Sequence, residues 1–527
     1  MKTKIYILAG LLSLTSLTSC SDWLDLKPNN EQVTDDYWKS KEDVEAVIAS
    51  GYYYMRECVP TLIKWGELRG GTFYATGSTD AKLQNFNIIP TDALCDYTKI
   101  YQIINMANSV IHYAPNVRSI DNTYYEARLN AHLCEAYFQR AYAYLVLLKN
   151  YSSVPLITFP YVDDNESFDI AKSTPQQIAE QIKLDIKAAL ATGAAKGAYE
   201  TEWQTKGRAT KWALYALMAD VCLWSEDYAQ CVEYCNYIIN ATDAFRPAFL
   251  KNTYDWYSIY YPGNSNESIF ELYWDYNTEN KENNFSSLFG KSAQGEIRFT
   301  EPAMQKLRSE TDELITANNG IMPEGRVGRM IFGTYIPASG NPAGYASEQT
   351  FYFWKYNGTD VADAAGGARV RYDANFILYR MAEIFLIKAQ AETMLGNYRS
   401  AVEQINTIRN RAGLSNFNGI DLSSPDADAY ISTLDEQSLL VEIIEQKNME
   451  LMGEGKRWYD LLWLGSIKDY KYKDLFIGEV ISGNQTTNKQ WILSVLNDPN
   501  AWYMPIPQSD IDHNRLLEQN PYYTTTN

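Results

Sequence analysis

Apolar residues recur along this chain at spacings of three and four over long stretches, the period of an amphipathic helix, and two of these stretches repeat each other. Lys211 to Asn240 and Arg380 to Arg409 each read as a long helix rich in alanine and aromatics, a tight polar turn and a second amphipathic helix. They superpose at an offset of 170: Tyr228 falls on Tyr398, Cys231 on Ala401 and Val232 on Val402, with Glu226-Asp227 opposite Gly396-Asn397 at the turn. Two further blocks follow the same scheme, Ala131 to Lys149 with Pro175 to Leu190, and Leu439 to Leu451 with Trp458 to Leu464. The prediction is a mostly α fold built on four helix pairs. Thr174 before Pro175 marks a helix start, because a hydroxyl cap followed by proline satisfies otherwise orphan amides. Gly413 closes the helix that ends at Arg411.

A turn, then tyrosine, then a small residue three positions on resembles the tetratricopeptide pattern, in which small residues let paired helices approach closely. From about residue 241 to 374 the pattern changes to short aromatic runs broken by Pro262-Gly263-Asn264, Asn318-Asn319-Gly320 and Gly340-Asn341-Pro342. This insertion reads as loops with a few strands, Ser268 to Trp274 and Phe351 to Tyr356. Pro60 to Asp92 reads as a second loop-rich stretch, after the first long helix. Binding residues concentrate on loops held by a rigid scaffold.

The amino terminus is an address. Lys2 and Lys4 precede the apolar run Ile5 to Leu12, and Leu17-Thr18-Ser19-Cys20 supplies the cleavage end of a secretory signal. That ending resembles a bacterial lipobox, which implies a signal peptide over 1–19, lipid attachment at Cys20, a tether over 20–30 and a single domain over 31–527. Without Lys2 and Lys4 the net charge goes from −19 to −21. So acidic a chain opposes nucleic acid, and no nucleic-acid partner is expected. Three scattered histidines, His112, His132 and His513, have no metal-ligand spacing, so neither a metal nor another cofactor is expected. Cys231 and Cys235 fall at i and i+4 of a helix, too far apart for a disulfide, and most of the thiols read as small buried apolar groups.

The chain carries 13 Trp, 41 Tyr and 18 Phe. Sugar rings pack flat on aromatic faces while their hydroxyls need amide, carboxylate or guanidinium partners. Two places offer this mixture: Trp65, Glu67, Arg69 and Tyr74 beside the polar run Gly77 to Asp80, and Trp274, Tyr276, Asn277 and Phe289 in the insertion, with Tyr345 farther on. Tyr52-Tyr53-Tyr54, Phe351 to Trp354, Trp256 and Tyr257 are expected in the core. The carboxylate pairs Asp35-Asp36, Asp163-Asp164 and Glu442/Glu445 read as solvated surface rather than a glycosidase dyad. The glycines at 366 and 367 and the run Gly325 to Gly328 read as turns, so no enzyme activity is expected.

Seven segments in order resemble the SusD/RagB family of outer-membrane glycan-binding lipoproteins. They are Cys20 to Pro28; Glu135 to Tyr144 with Val154-Pro155-Leu156-Ile157; Gly207 to Ala213; Tyr379 to Leu386; Ile405 to Leu414; Glu450 to Leu461; and Met504-Pro505-Ile506-Pro507 with Gln519-Asn520-Pro521. Gln446-Lys447 and Leu462-Trp463 depart from it, at scaffold helices. The resemblance implies a lipid-anchored, surface-exposed receptor of the outer membrane. It would bind an oligo- or polysaccharide without cleaving it and deliver it to a TonB-dependent SusC-like transporter. The alternative is a receptor for peptides or protein fragments working with the same kind of transporter.

Overall fold

The computed structural model describes residues 37–161, 167–252, 256, 258–289, 295–320, 329, 334–335, 352–359, 369–485 and 488–524. Cys20, Tyr345, Asp35-Asp36, Asp163-Asp164, Tyr257 and the glycine runs at 325–328 and 366–367 lie outside them.

Helix α1 (Lys41–Glu67) opens on a capping box: the Ser40 hydroxyl accepts from the Asp43 amide, and the Ser40 amide donates to the Asp43 carboxylate at 2.8 Å. It runs straight through Pro60 to Glu67. The loop expected from Pro60 therefore starts only after α1, because Cys58, Val59, Leu62 and Ile63 form one buried face whose packing outweighs the proline. The short strand β1 (Phe73–Ala75) follows, then α2 (Thr98–Ile120) and α3 (Glu126–Tyr151), packed side by side. Helix α4 (Pro175–Ala191) lies on α3 and starts as expected: Thr174 Oγ1 accepts from the Gln177 amide, and Gln177 Oε1 accepts from the Thr174 amide.

Helices α5 (Lys211–Trp224) and α6 (Tyr228–Ile239) form the next antiparallel pair. After the insertion, α8 (Met381–Met394) and α9 (Tyr398–Arg411) form another, and both pairs begin at the same 170-residue offset. The repeat extends to the turn backbone, where Glu226 at φ +57° occupies the left-handed position that Gly396 takes at φ +79°. Glycine adopts it without cost, whereas glutamate needs local support. Support comes from Tyr228 Oη, which donates to Glu226 Oε2 at 3.3 Å. Helix α10 (Glu436–Leu451) rests on α8 and α9 and meets α11 (Arg457–Tyr470), which packs against α12 (Lys473–Gly483).

The insertion departs from expectation in three places. Strand β2 (Ser268–Leu272) pairs with an unforeseen strand, β6 (Phe376–Arg380), so the third repeat stretch opens on strand rather than helix at Arg380. Strand β3 (Ile297–Phe299) pairs with β1 and leads into the 17-residue helix α7 (Glu301–Ala317), where only loops and strands were expected. Its signal was the apolar spacing Met304, Leu307, Thr311, Leu314 behind a Thr300 cap. The strand expected over Phe351 to Tyr356 is only Tyr352–Phe353, paired with Thr334–Tyr335, after which Trp354–Asn357 turns helical. That turn carries Lys355 Nζ to the carbonyls of Glu450 and Met452, at 2.8 and 3.1 Å.

All six described cysteines are unbridged and buried. Among the described residues no helix is long and apolar enough to cross a membrane.

Candidate functional site

The segment Tyr273 to Lys281, which follows β2, carries half-buried Tyr273 and Tyr276 and ends in the exposed run 277–281. Trp203, 45% exposed on the short helix Glu202–Gly207, stacks on half-buried Tyr273 with centroids 5.4 Å apart and planes 26° apart. The pair leaves an apolar ring edge and outer face at the surface. Arg371 sits 4.5 Å over the Tyr276 ring, and Lys281 lies 5.5 Å from Tyr53, a helix α1 residue 47% exposed. Tyr53 was expected in the core and instead faces water. Asn277 is exposed, and the Asp275 carboxylate fixes the turn by accepting from the Asn277 amide at 2.9 Å. Aromatic faces, an amide and cations thus border a single stretch of chain, as recognition of a polyhydroxylated ring requires.

Of the residues singled out in the sequence, Tyr276 and Asn277 belong to this stretch. Tyr74 stands elsewhere, half-buried on β1 opposite Arg298 of β3. Trp274, Phe289, Trp65, Glu67 and Arg69 belong to the interior. Trp274 is covered by Arg56, whose guanidinium lies 4.8 Å over the ring and is held by Glu279 at 2.8 Å. Phe289 joins a floor of rings running from Phe73 through Phe289, Tyr356 and Phe285 to Trp274, with successive centroids 5.0–5.6 Å apart. That floor links β1 to the root of the aromatic stretch. Trp65 is fully buried and donates from Nε1 to the Leu94 carbonyl at 2.8 Å. Arg69 is buried against the Trp458 ring and donates to the Trp502 carbonyl at 3.1 Å. Trp203 and Tyr273 were missed, although Trp203 between Glu202 and Gln204 shows the same aromatic and polar mixture on a shorter segment.

Glu67 closes α1 by accepting from the amides of Gly455, at 2.7 Å, and Lys456. The approach is so close that a β-carbon on Gly66 would stand 2.1 Å from the Gly455 carbonyl oxygen. Burial pushes the Glu67 carboxyl up to about 8 against those two hydrogen bonds. The folded state then keeps a proton that the unfolded chain releases near 4.5, so stability falls as pH rises from about 4.5 to about 8. Glu271 and Glu310, raised to about 7 by burial, act in the same direction. Glu67→Gln is expected to flatten the pH dependence of the urea midpoint between pH 5 and 8, relative to the parent chain. An unchanged slope would show that Glu67 is ionised in the fold.

Behind the insertion lies a buried ion network. Arg380 Nε and Nη1 reach Glu454 Oε2 at 2.9 Å and Glu450 Oε1 at 2.7 Å. Arg411 bridges Glu450 and Glu267, each at 2.5 Å, while Lys355 pairs with Glu454 at 2.8 Å and Arg329 with Glu450 at 3.3 Å. Burial alone would raise Glu454, but Arg380 and Lys355 outweigh it and hold the carboxyl at about 2. Glu442 and Glu445 are each taken up by a separate base, Arg409 and Lys306. Among the described residues no cluster of His, Cys, Asp and Glu could hold a metal ion.

Residues 22–223 match the family model described as starch-binding, associating with outer membrane, and residues 332–523 match the SusD family. SusD-like protein P38 of Formosa agariphila is 24% identical over 481 residues, which span 86% of this chain and 89% of the relative. A solved SusD superfamily structure from Bacteroides vulgatus superposes with a TM-score of 0.69 at 18% identity, covering 92% of this chain and 99% of that one. A laminarin-binding SusD-like protein gives a TM-score of 0.65 at 18% identity, covering 92% and 100%. With one family model at each end and a fold shared from end to end, this chain belongs to the SusD/RagB family.

Proposed function

We propose that the protein is a noncatalytic, lipid-anchored receptor on the cell surface that binds an oligo- or polysaccharide and delivers it to a TonB-dependent SusC-like transporter in the outer membrane. The observation that carries the reading is the stretch Tyr273 to Lys281 with Trp203: flat apolar rings edged by amide and guanidinium groups, on a rigid helical scaffold. The starch-binding family model and the laminarin-binding neighbour support a glycan as the ligand. Cys20, through its lipobox-like context, is the proposed lipid attachment. Weak capture suits delivery, since a dissociation constant of about 0.1 mM corresponds to about −5.5 kcal/mol and leaves release fast.

Affinity electrophoresis of the chain from Ser21 onward through gels containing starch, laminarin and other plant, microbial and host glycans tests it. Retardation by at least one glycan is expected. No retardation by any of them, with binding to peptides from a casein digest, would replace the glycan with a peptide ligand.

A further inference from the structure

Helix α2, the segment after α3 and the carboxyl-terminal helix Gln508–His513 enclose a pocket of about 440 Å³, built from none of the residues of the aromatic stretch. Its lining includes the rings of Tyr97, Tyr101, Tyr161, Phe168 and His513. Tyr161 and Phe168 stack at 4.8 Å with planes 27° apart, and Tyr97 meets Tyr101 edge-on at 5.1 Å. The walls are held in place. Tyr101 Oη donates to the Pro155 carbonyl at 2.9 Å, and the Tyr161 amide donates to Asn105 Oδ1 at 2.9 Å.

A preformed concave space of this size is within the range of small-ligand sites. Phe168 leaves half its surface, 51%, in water beside it. Polar side chains also line the space, among them Gln102, Asn105, Asn108, Asp510, His513 and Asn514, and the Gln102 amide has no protein partner among the described residues. Aromatic walls suit a flat ring with apolar faces; a carboxylate and an amide suit hydroxyls on its edge. Asp510 and the acidic chain repel an anion, and apolar walls penalise any charge.

We infer that this pocket is a second ligand site, taking one uncharged ring with apolar faces and hydroxyls at its edge. A terminal sugar unit and a phenolic ring both have that chemistry. The site does not depend on the glycan reading of the aromatic stretch.

The test is saturation-transfer NMR and titration of the full chain from Ser21 with methyl β-D-glucopyranoside, methyl α-L-rhamnopyranoside and 4-hydroxybenzyl alcohol. At least one probe is expected to bind in the millimolar range. Phe168→Ala should weaken it about ten-fold and Gln102→Ala several-fold, both at exposed or half-exposed positions, with thermal midpoints confirming the fold. Binding should persist in the Trp203→Ala/Tyr273→Ala double variant, which separates this site from the aromatic stretch. Which probe binds tells sugar from phenol. No binding by any of the three, or binding indifferent to both pocket variants, overturns the inference.

Discussion

Replacing Trp203 and Tyr273 together by alanine is expected to abolish glycan retardation while leaving the thermal midpoint within a few degrees of the parent. Each ring alone offers one apolar face. Stacked, they cover each other's inner faces, so a sugar ring can pack only on an outer face of the pair. Aromatic contacts contribute about 0.5–1.5 kcal/mol beyond their buried area, so losing two removes about 1–3 kcal/mol, a roughly 5- to 150-fold loss. From a starting affinity near 0.1 mM, such a loss puts binding beyond detection by gel retardation. Single variants should give intermediate shifts, and Phe289→Leu, inside the ring floor, should alter stability before binding. Full retardation by the double variant would move the glycan site away from this stretch.

Glu450→Gln is expected to lower unfolding stability by about 3–5 kcal/mol, measured by urea denaturation, because it removes the carboxylate shared by Arg380, Arg411 and Arg329 and leaves the buried cations in excess over Glu267, Glu454 and Glu310. The control is Glu445→Gln at the surface pair with Lys306, where the loss should be about 0–1 kcal/mol. Burial opposes the Glu450 charge, yet Arg411 and Arg380 hold its carboxyl well below the usual range. Its stabilisation is therefore present above about pH 4.5 and lost as the medium is acidified through the folded value. A cost near that of Glu445→Gln would mean that water reaches the network.

The helical scaffold was legible because its signals are local. The repeat at Lys211 and Arg380 places its helix starts and its turn, and the Thr174 cap and the buried thiols at Cys231 and Cys235 are where spacing puts them. The candidate site was only half legible. Tyr276 and Asn277 were found, but Trp65 and Glu67 were taken for loop residues because Pro60 is locally a helix breaker that only the packed face of α1 overrides, and Arg69, in the turn after α1, is drawn inward by Trp458 and Trp502. Trp274 looks like a strand-end platform until Arg56, more than two hundred residues earlier, covers it. The network of Arg380, Arg411, Glu450 and Glu454 escaped notice for the same reason: charged residues read as solvated until their partners across the fold are known.

The end of α1 has a consequence for the order of events in biosynthesis. Glu67 and Arg69 meet their partners at Gly455 and Trp502, across separations of 388 and 433 residues, so the last turn of the first helix stays unfinished until almost the whole chain is available. Contacts this distant in sequence slow folding, because loop closure must precede their reward. A chain made amino terminus first would thus complete this seam only late, after most of its helices have been available to form.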